Sequence, residues 1–307
     1  MSRNMKPVSA PGGTYLLGGR DVARVGYGAM QLRHCEANPA AAVTLLECAI
    51  DLGVNHIDTA QFYGNGFVNK MIREVLRPGD GVVVASKVGA DPDPQGKIPV
   101  KLAQRPEQLR ASVEDNLVSL GLDQIPLVNL RRPDVGPGLA AEGNQIVDID
   151  DQMAVMIAMR DEGKIASIGL SAVNLDGLRR ARLADIACVQ NAYSLVSREF
   201  EDMVAFCLVN GIAWVPFFPL GGAAPGWPKV TDQPKVVDIA ARMNVTPSQV
   251  GLAWLLRHTP NTLLIPGTAN LGHLEQNMAV ATVALDDAAM ADLDAIETTA
   301  AGRYPRH

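Results

Sequence analysis

The sequence predicts an α/β fold, a single (β/α)8 TIM barrel, and two observations carry that expectation. Short apolar, β-rich runs alternate with longer amphipathic segments through eight strand–helix units, and such alternation gives a parallel sheet covered by helices. The connections are also asymmetric. Helix-to-strand links at 52–55, 121–123 and 210–212 are tight, whereas strand-to-helix links at 88–105, 131–149 and 218–232 are long and rich in Gly, Pro and Asp. In a barrel the long links gather at the C-terminal face, so a site is expected there, built after the third, fourth and seventh strands. An open doubly wound sheet is the rival, but it seldom carries eight consecutive units. At ~150 residues per domain the 307 residues could form two domains; the continuous alternation favours one, spanning 1–307.

In chain order, residues 1–13 are expected to be flexible. Tyr15–Val25, with Gly18 and Gly19 at its middle, reads as an N-terminal β-hairpin able to plug the N-terminal mouth. Strands are expected at Arg24–Gly28, His56–Asp58, Val82–Lys87, Ile125–Leu130, Ile168–Ser171, Cys188–Asn191, Ala213–Phe217 and Leu263–Ile265. Helical patterns lie around 40–52, 66–76, 106–120, 150–162, 174–183, 199–209, 233–258 and 270–280. Leu109, Val113, Asn116, Leu117 and Leu120 illustrate the spacing of three and four. Gly53, Gly121, Gly163 and Gly211 each follow a helical run, where a left-handed residue ends the helix. Thr246-Pro247-Ser248-Gln249 reads as an N-cap, a first-turn proline and the glutamine of a capping box. Residues 285–297, acid-led at Asp286 and Asp287, add a C-terminal extra helix beyond the barrel.

Composition narrows the function classes. A net charge of -6 argues against coating nucleic acid or an anionic membrane. No stretch reaches the ~18 uninterrupted apolar residues of a membrane span, and the start has no apolar leader core. Cys35, Cys48, Cys188 and Cys207 fit no zinc spacing and are expected to be reduced thiols. A cytoplasmic location is therefore expected.

Polar residues end three neighbouring strands: Asp58 the second, Lys87 the third and Arg131 the fourth, with Tyr63 on the loop after Asp58. Singly, Asp58 could cap a turn, Lys87 could be solvated and Tyr63 could pack a loop. Together they form a proton-transfer group. A free phenol, with a pKa of ~10, is a poor acid at neutral pH. An ammonium ~4 Å away at an effective dielectric of ~20 favours the phenolate, while burial opposes it. Asp58 is the counter-ion that would keep Lys87 charged. The set suits protonation of a carbonyl oxygen, and with no metal ligands or nucleophile motif the electrons of a reduction must come from a cofactor.

With these motifs the chain resembles the aldo-keto reductases, from GYGAM at Gly26–Met30 through VNHIDTAQFYG, VASK, LVNLR, VQNAYSL and VPFFPLGG to LLIPGT and the Glu275-Gln276-Asn277 that follows. The pyridoxal reductase branch is the most similar. The resemblance implies a (β/α)8 barrel that reduces small-molecule carbonyls with NADPH, leaving NADP+, and Asp58, Tyr63 and Lys87 match its catalytic Asp, Tyr and Lys. It implies cofactor contacts from Gly28, Met30, Ser171 and Gln190, and from Phe217, Phe218, Leu220 and Gly222 around the ring and pyrophosphate. Gly267, Thr268, His273, Gln276 and Asn277 fall at the 2′-phosphate end.

The chain departs from the family pattern at several positions. The catalytic His falls at Arg131, permanently charged but still a donor, able to orient a carbonyl or contact an anionic substituent. The Ser-Asn pair after the fifth strand is Ser171-Ala172, and the stacking Tyr after the seventh is Phe217. The usual Lys and Arg of the phosphate site fall at Gly267 and His273, leaving Thr268, Asn277 and helix-opening amides near Ala269 and Asn270. The function expected is reduction of an aldehyde or ketone to an alcohol, with pyridoxal to pyridoxine the first candidate. The alternative is an NADPH-binding, redox-sensing regulatory protein with little turnover. A sugar-phosphate isomerase or aldolase using Lys87 as a Schiff base would leave Gln190 and Phe217 unexplained. Neither nucleic acid nor membrane is expected as a partner, and oligomeric state is open, a monomer included.

Overall fold

The computed structural model describes residues 10–77, 79–96, 98–136, 138–222 and 227–299. Of the segment expected to be flexible, residues 1–9 lie outside the described residues. Pro11 and Gly13 accept backbone hydrogen bonds from Val25 and Arg24.

The chain opens with β1 (Thr14–Leu17) and β2 (Arg20–Ala23), paired antiparallel, then β3 (Tyr27–Gly28) and a 3-10 turn over Ala29–Cys35. Strands and helices follow in alternation: α1 (Pro39–Asp51), β4 (His56–Asp58), α2 (Phe67–Val75), β5 (Val83–Val88), β6 (Ala90–Pro92), β7 (Val100–Leu102) and α3 (Pro106–Leu120). Next come β8 (Ile125–Arg131), α4 (Ile149–Asp161), β9 (Ile165–Ser171), α5 (Leu175–Ala181), β10 (Ile186–Gln190), α6 (Glu201–Val209) and β11 (Ala213–Trp214). The last elements are α7 (Pro234–Met243), α8 (Pro247–His258), α9 (Leu271–Met278) and α10 (Asp287–Asp294). β3, β4, β5, β8, β9, β10 and β11 pair in that order, all in parallel. This curled sheet of parallel strands joined through helices is TIM-barrel-like.

The eighth apolar run, expected as a strand at Leu263–Ile265, makes only isolated bridges, Trp214 to Thr262 and Val25 to Leu264. Its backbone nevertheless serves both edges of the sheet. Leu263 N–H donates to Trp214 O, Leu264 N–H donates to Arg24 O, and Gly26 N–H donates to Leu264 O, each at 2.8 Å. Pro216 and Pro266 lack the N–H groups that longer ladders would need. Arg24 adds a side-chain staple: its guanidinium donates to the carbonyls of Thr262 at 3.1 Å, Leu256 at 2.6 Å and Thr259 at 2.9 Å.

Strand alternation divides the core in two. Val84, Val88, Val128, Leu130, Ile168, Leu170, Val189, Trp214 and Leu264 face the helices in one large cluster. Val83, Ala85, Leu127, Cys188, Ala213, Val215, Leu263 and Ile265 face inward in a second cluster, closed by Leu17 and Val22 of the β1–β2 pair. Each such fully buried aliphatic side chain stabilises the fold by ~1.5–3 kcal/mol. With apolar residues filling the lower interior, the polar inward positions Asp58, Lys87, Arg131, Ser171 and Gln190 lie at the C-terminal strand ends.

Other expectations change in detail: the strands expected at Arg24–Gly28 and Ala213–Phe217 are each shortened to two residues, Tyr27–Gly28 and Ala213–Trp214. The helical pattern over 233–258 is broken at Asn244, which takes a left-handed φ of 55° and separates α7 from α8. The long link 88–105 carries the short antiparallel pair β6–β7.

Candidate active site

Asp58 ends β4 and Lys87 lies one residue from the end of β5. Their inward side chains form an ion pair, 5% and 7% exposed. The Lys87 ammonium also donates to the Thr59 carbonyl at 3.0 Å. Gln190, at the end of β10, donates its Nε2 to the second Asp58 oxygen at 2.8 Å. Tyr63 sits on the turn after β4, its N–H donating to Ala60 O, with Gly64 and Gly66 at positive φ shaping the following backbone. Lys87 Nζ is 5.1 Å from the Tyr63 ring centroid.

The electrostatics follow from this crowding. Burial pushes the Tyr63 phenol up; Lys87 and Arg131 pull it down, Asp58 pushes it up again, and the net shift is upward. The ring keeps partial access to solvent, which tempers the burial effect. For Lys87, burial works against the ammonium, but Asp58 and Tyr63 outweigh it and the group titrates above its ordinary value. The lysine's pull on the phenol, expected from the sequence, is present and is exceeded by burial. At neutral pH the phenol therefore keeps its proton beside a charged lysine, and the acid form is the resting form.

Arg131 ends β8 opposite Ser171 in the register, and Ser171 lies opposite Gln190, so the three neighbour one another across adjacent strands. The Arg131 carbonyl accepts from Gln104 Nε2 at 2.8 Å. Its guanidinium passes so close to Gly138 that a Cβ there would lie 3.0 Å from Nη2. Ala172 is buried with φ of 50°, a left-handed conformation that asparagine adopts more readily than alanine.

On the side expected to meet the cofactor, Gly28 and Gly267 bring the first and eighth runs into backbone contact. A Cβ on Gly28 would lie 2.3 Å from Ile265 O, and one on Gly267 would lie 2.6 Å from Gly28 O. Thr268 is fixed by its carbonyl, which accepts from Tyr27 Oη at 2.6 Å, and by its hydroxyl, which accepts from Asn270 N–H at 3.0 Å. Asn270 caps α9 through His273 N–H at 2.9 Å. His273 and Gln276 are exposed, Asn277 is buried, and Met30 is half-buried in the 3-10 turn. Phe217 and Phe218 meet edge to face at 5.2 Å. Leu220 O accepts from Val230 N–H, while Gly222 N–H is already donated to Pro228 O. Residues 223–226 of the long 218–232 link lie outside the described residues.

The structure thus assembles Asp58, Lys87, Tyr63 and Gln190 directly, with Arg131 and Ser171 adjoining. A nicotinamide ring fits one observation: Gln190 Oε1 is buried without a partner among the described residues, an acceptor suited to a carboxamide N–H. Sequence reasoning missed the polar layer behind these residues, in which Thr59, Ser86, Asn69 and Asn116 are all fully buried. The available signal was an asparagine on the apolar stripe of each of α2 and α3.

A model of the Aldo/keto reductase family matches residues 24–298. The chain is 41% identical over 296 residues to the pyridoxine 4-dehydrogenase of Escherichia coli strain K12, covering 92% of this chain and 98% of that one. It is 32% identical over 290 residues to an uncharacterized oxidoreductase of Schizosaccharomyces pombe, covering 92% and 89%. Among solved structures, an aldo/keto reductase from Klebsiella pneumoniae in complex with NADP and acetate superposes with a TM-score of 0.74 at 26% identity, covering 94% and 95%. A K. pneumoniae aldo-keto reductase in complex with NADPH shares the fold at a TM-score of 0.76 and 24% identity, covering 92% and 93%. The chain belongs to the aldo/keto reductase family of oxidoreductases.

Proposed function

We propose that this family member reduces a small aldehyde or ketone to the alcohol with NADPH, with pyridoxal the first candidate substrate and Tyr63 the general acid. The observation that carries the reading is the Tyr63 ring 5.1 Å from a Lys87 ammonium that is paired with Asp58 and donates to the Thr59 carbonyl. The pyridoxal assignment draws on the 41% identity to the E. coli pyridoxine 4-dehydrogenase, read in the reducing direction. The architecture is read as one (β/α)8 barrel domain, closed by the 262–264 segment, with the β1–β2 hairpin below and α10 as the extra helix. The four thiols are unpaired, in keeping with a reducing cytoplasm.

Gln190 and Ser171 would hold the carboxamide of the cofactor, and Phe217 would face its ring. Gly28, Met30, Phe218, Leu220 and Gly222 would line its path, while Thr268, His273, Gln276, Asn277 and the backbone at Gly267 would meet the phosphate end. Bound NADPH supplies a hydride to the carbonyl carbon. Tyr63 gives its proton to the carbonyl oxygen, and Lys87 stabilises the phenolate left behind. Asp58 keeps Lys87 charged, so the phenolate always faces a cation. Arg131 orients the carbonyl or meets an anionic substituent of the substrate.

The test is NADPH oxidation with pyridoxal, followed at the nicotinamide absorbance band. Tyr63→Phe is expected to lower the rate by roughly 10²–10⁴-fold while NADPH binding persists. Binding without turnover across an aldehyde panel would sink the reductase reading in favour of a regulatory NADPH-binding protein.

A further inference from the structure

Asn69 and Asn116 lie on the buried faces of α2 and α3, where a helix ordinarily presents hydrocarbon. Both are fully buried and every polar side-chain atom is engaged. Asn69 Oδ1 accepts the Thr59 hydroxyl at 2.8 Å. Asn69 Nδ2 is shared among Gln61 Oε1 at 2.9 Å, Asn116 Oδ1 at 3.1 Å and Ser119 Oγ at 3.0 Å. Asn116 Oδ1 also accepts the Ser86 hydroxyl at 2.6 Å, and its Nδ2 donates to Ser112 O at 2.8 Å and reaches Lys87 O at 3.4 Å. A buried polar network satisfied this completely is rigid, because any displacement strands an amide in a low-dielectric interior.

The network grips the residues that adjoin the active-site group. Thr59 follows Asp58, Ser86 precedes Lys87, and Gln61 lies two residues before Tyr63. Since successive strand residues point to opposite faces, clamping Thr59 and Ser86 on the helix side fixes the directions of Asp58 and Lys87 on the inner side. Thr59 has a second part: its carbonyl is, with Asp58, an acceptor for the Lys87 ammonium.

The geometry points to Asn69 as a positioning residue for the reduction, acting through Thr59 to aim that carbonyl at Lys87 and so hold the ammonium against Tyr63. The inference rests on the reading of Tyr63 as the acid. A merely architectural network would predict lost thermal stability with the chemistry of the site unchanged. A positioning role predicts a fall in kcat with NADPH affinity preserved, and a displaced Tyr63 titration.

Thr59→Val removes the hydroxyl at nearly constant volume, Thr59→Ser keeps it, and Asn69→Ala removes the hub. Should Asn69→Ala fail to fold, the Thr59 pair carries the test alone. The measurements are kcat and KM for pyridoxal with NADPH, the NADPH dissociation constant by fluorescence, the melting temperature, and the ¹³Cζ resonance of Tyr63 against pH, identified with Tyr63→Phe. Thr59→Val is expected to lower kcat about tenfold, leave NADPH binding within about twofold, and move the Tyr63 titration upward as Lys87 loosens. Thr59→Ser should recover most of both effects. Wild-type kcat and an unmoved Tyr63 titration in Thr59→Val, with only the melting temperature lowered, would overturn the proposal. If the wild-type protein reduces no aldehyde, yet the titration moves in Thr59→Val and returns in Thr59→Ser, the positioning role stands and the reaction assigned to the site falls.

Discussion

His56 faces the interior two residues before Asp58, and its ring lies flat against Gly26, where a Cβ would come within 2.2 Å of Nε2. Among the described residues neither ring nitrogen has a hydrogen-bond partner; the Leu264 carbonyl approaches without reaching hydrogen-bond geometry. Burial pushes the imidazole from its ordinary 6.5 down to about 4. The unfolded chain thus takes up this proton at a higher pH than the folded one does. The stabilising contribution is complete above the unfolded value and is lost as the pH falls from 6.5 towards 4, a difference of ~3 kcal/mol. The urea midpoint of the wild-type protein is expected to drop more steeply between pH 7 and 4 than that of His56→Leu; parallel slopes would remove His56 from the account. Individual residues were legible to different degrees. Asp58, Lys87 and Tyr63 stand out because strand ends and one adjoining loop put unlike charges and a phenol at a single mouth. Asn69 did not, because on one helix it reads as a flaw in the stripe, and its partner Asn116 is 47 positions away.

Elements repeat that division between local and distant causes. The capping box at α8 was written in four consecutive residues, and it forms: Thr246 Oγ1 accepts Gln249 N–H at 3.2 Å, and Gln249 Oε1 accepts Thr246 N–H at 2.9 Å. Thr246→Ala should cost ~1 kcal/mol, read as a lower denaturant midpoint with an unchanged slope. The break at Asn244 was not separated from the long 233–258 pattern, because the apolar period continues across it while one left-handed residue turns the chain. Leu263–Ile265 was legible as an apolar run, but its lack of a regular ladder was not. That outcome depends on Pro216 and Pro266, whose missing donors matter only once the neighbouring strands are in place.

At the scale of the molecule, the order of units was readable because alternation is a local signal repeated along the chain. The backbone bridges and the Arg24 contacts between its first and last runs were not, because they join residues far apart in the chain. The seam between Val25 and Leu264 rests on few backbone hydrogen bonds and on the three carbonyls held by Arg24. Arg24→Met leaves those acceptors without their cation, and a loss of roughly 3 kcal/mol is expected. Hydrogen exchange should then accelerate first at the Gly26 and Leu264 amides, with the β8–β9 amides still protected; uniform acceleration would show that the seam does not open by itself. The same staple sets a timetable for synthesis. The Arg24 and Thr262 positions it joins are 238 apart, so at ~5–20 residues per second a ribosome needs tens of seconds to supply the second after the first. Until then Gly26 and Leu264 have no edge to meet, and the growing chain must keep an unzipped sheet from finding another nascent copy.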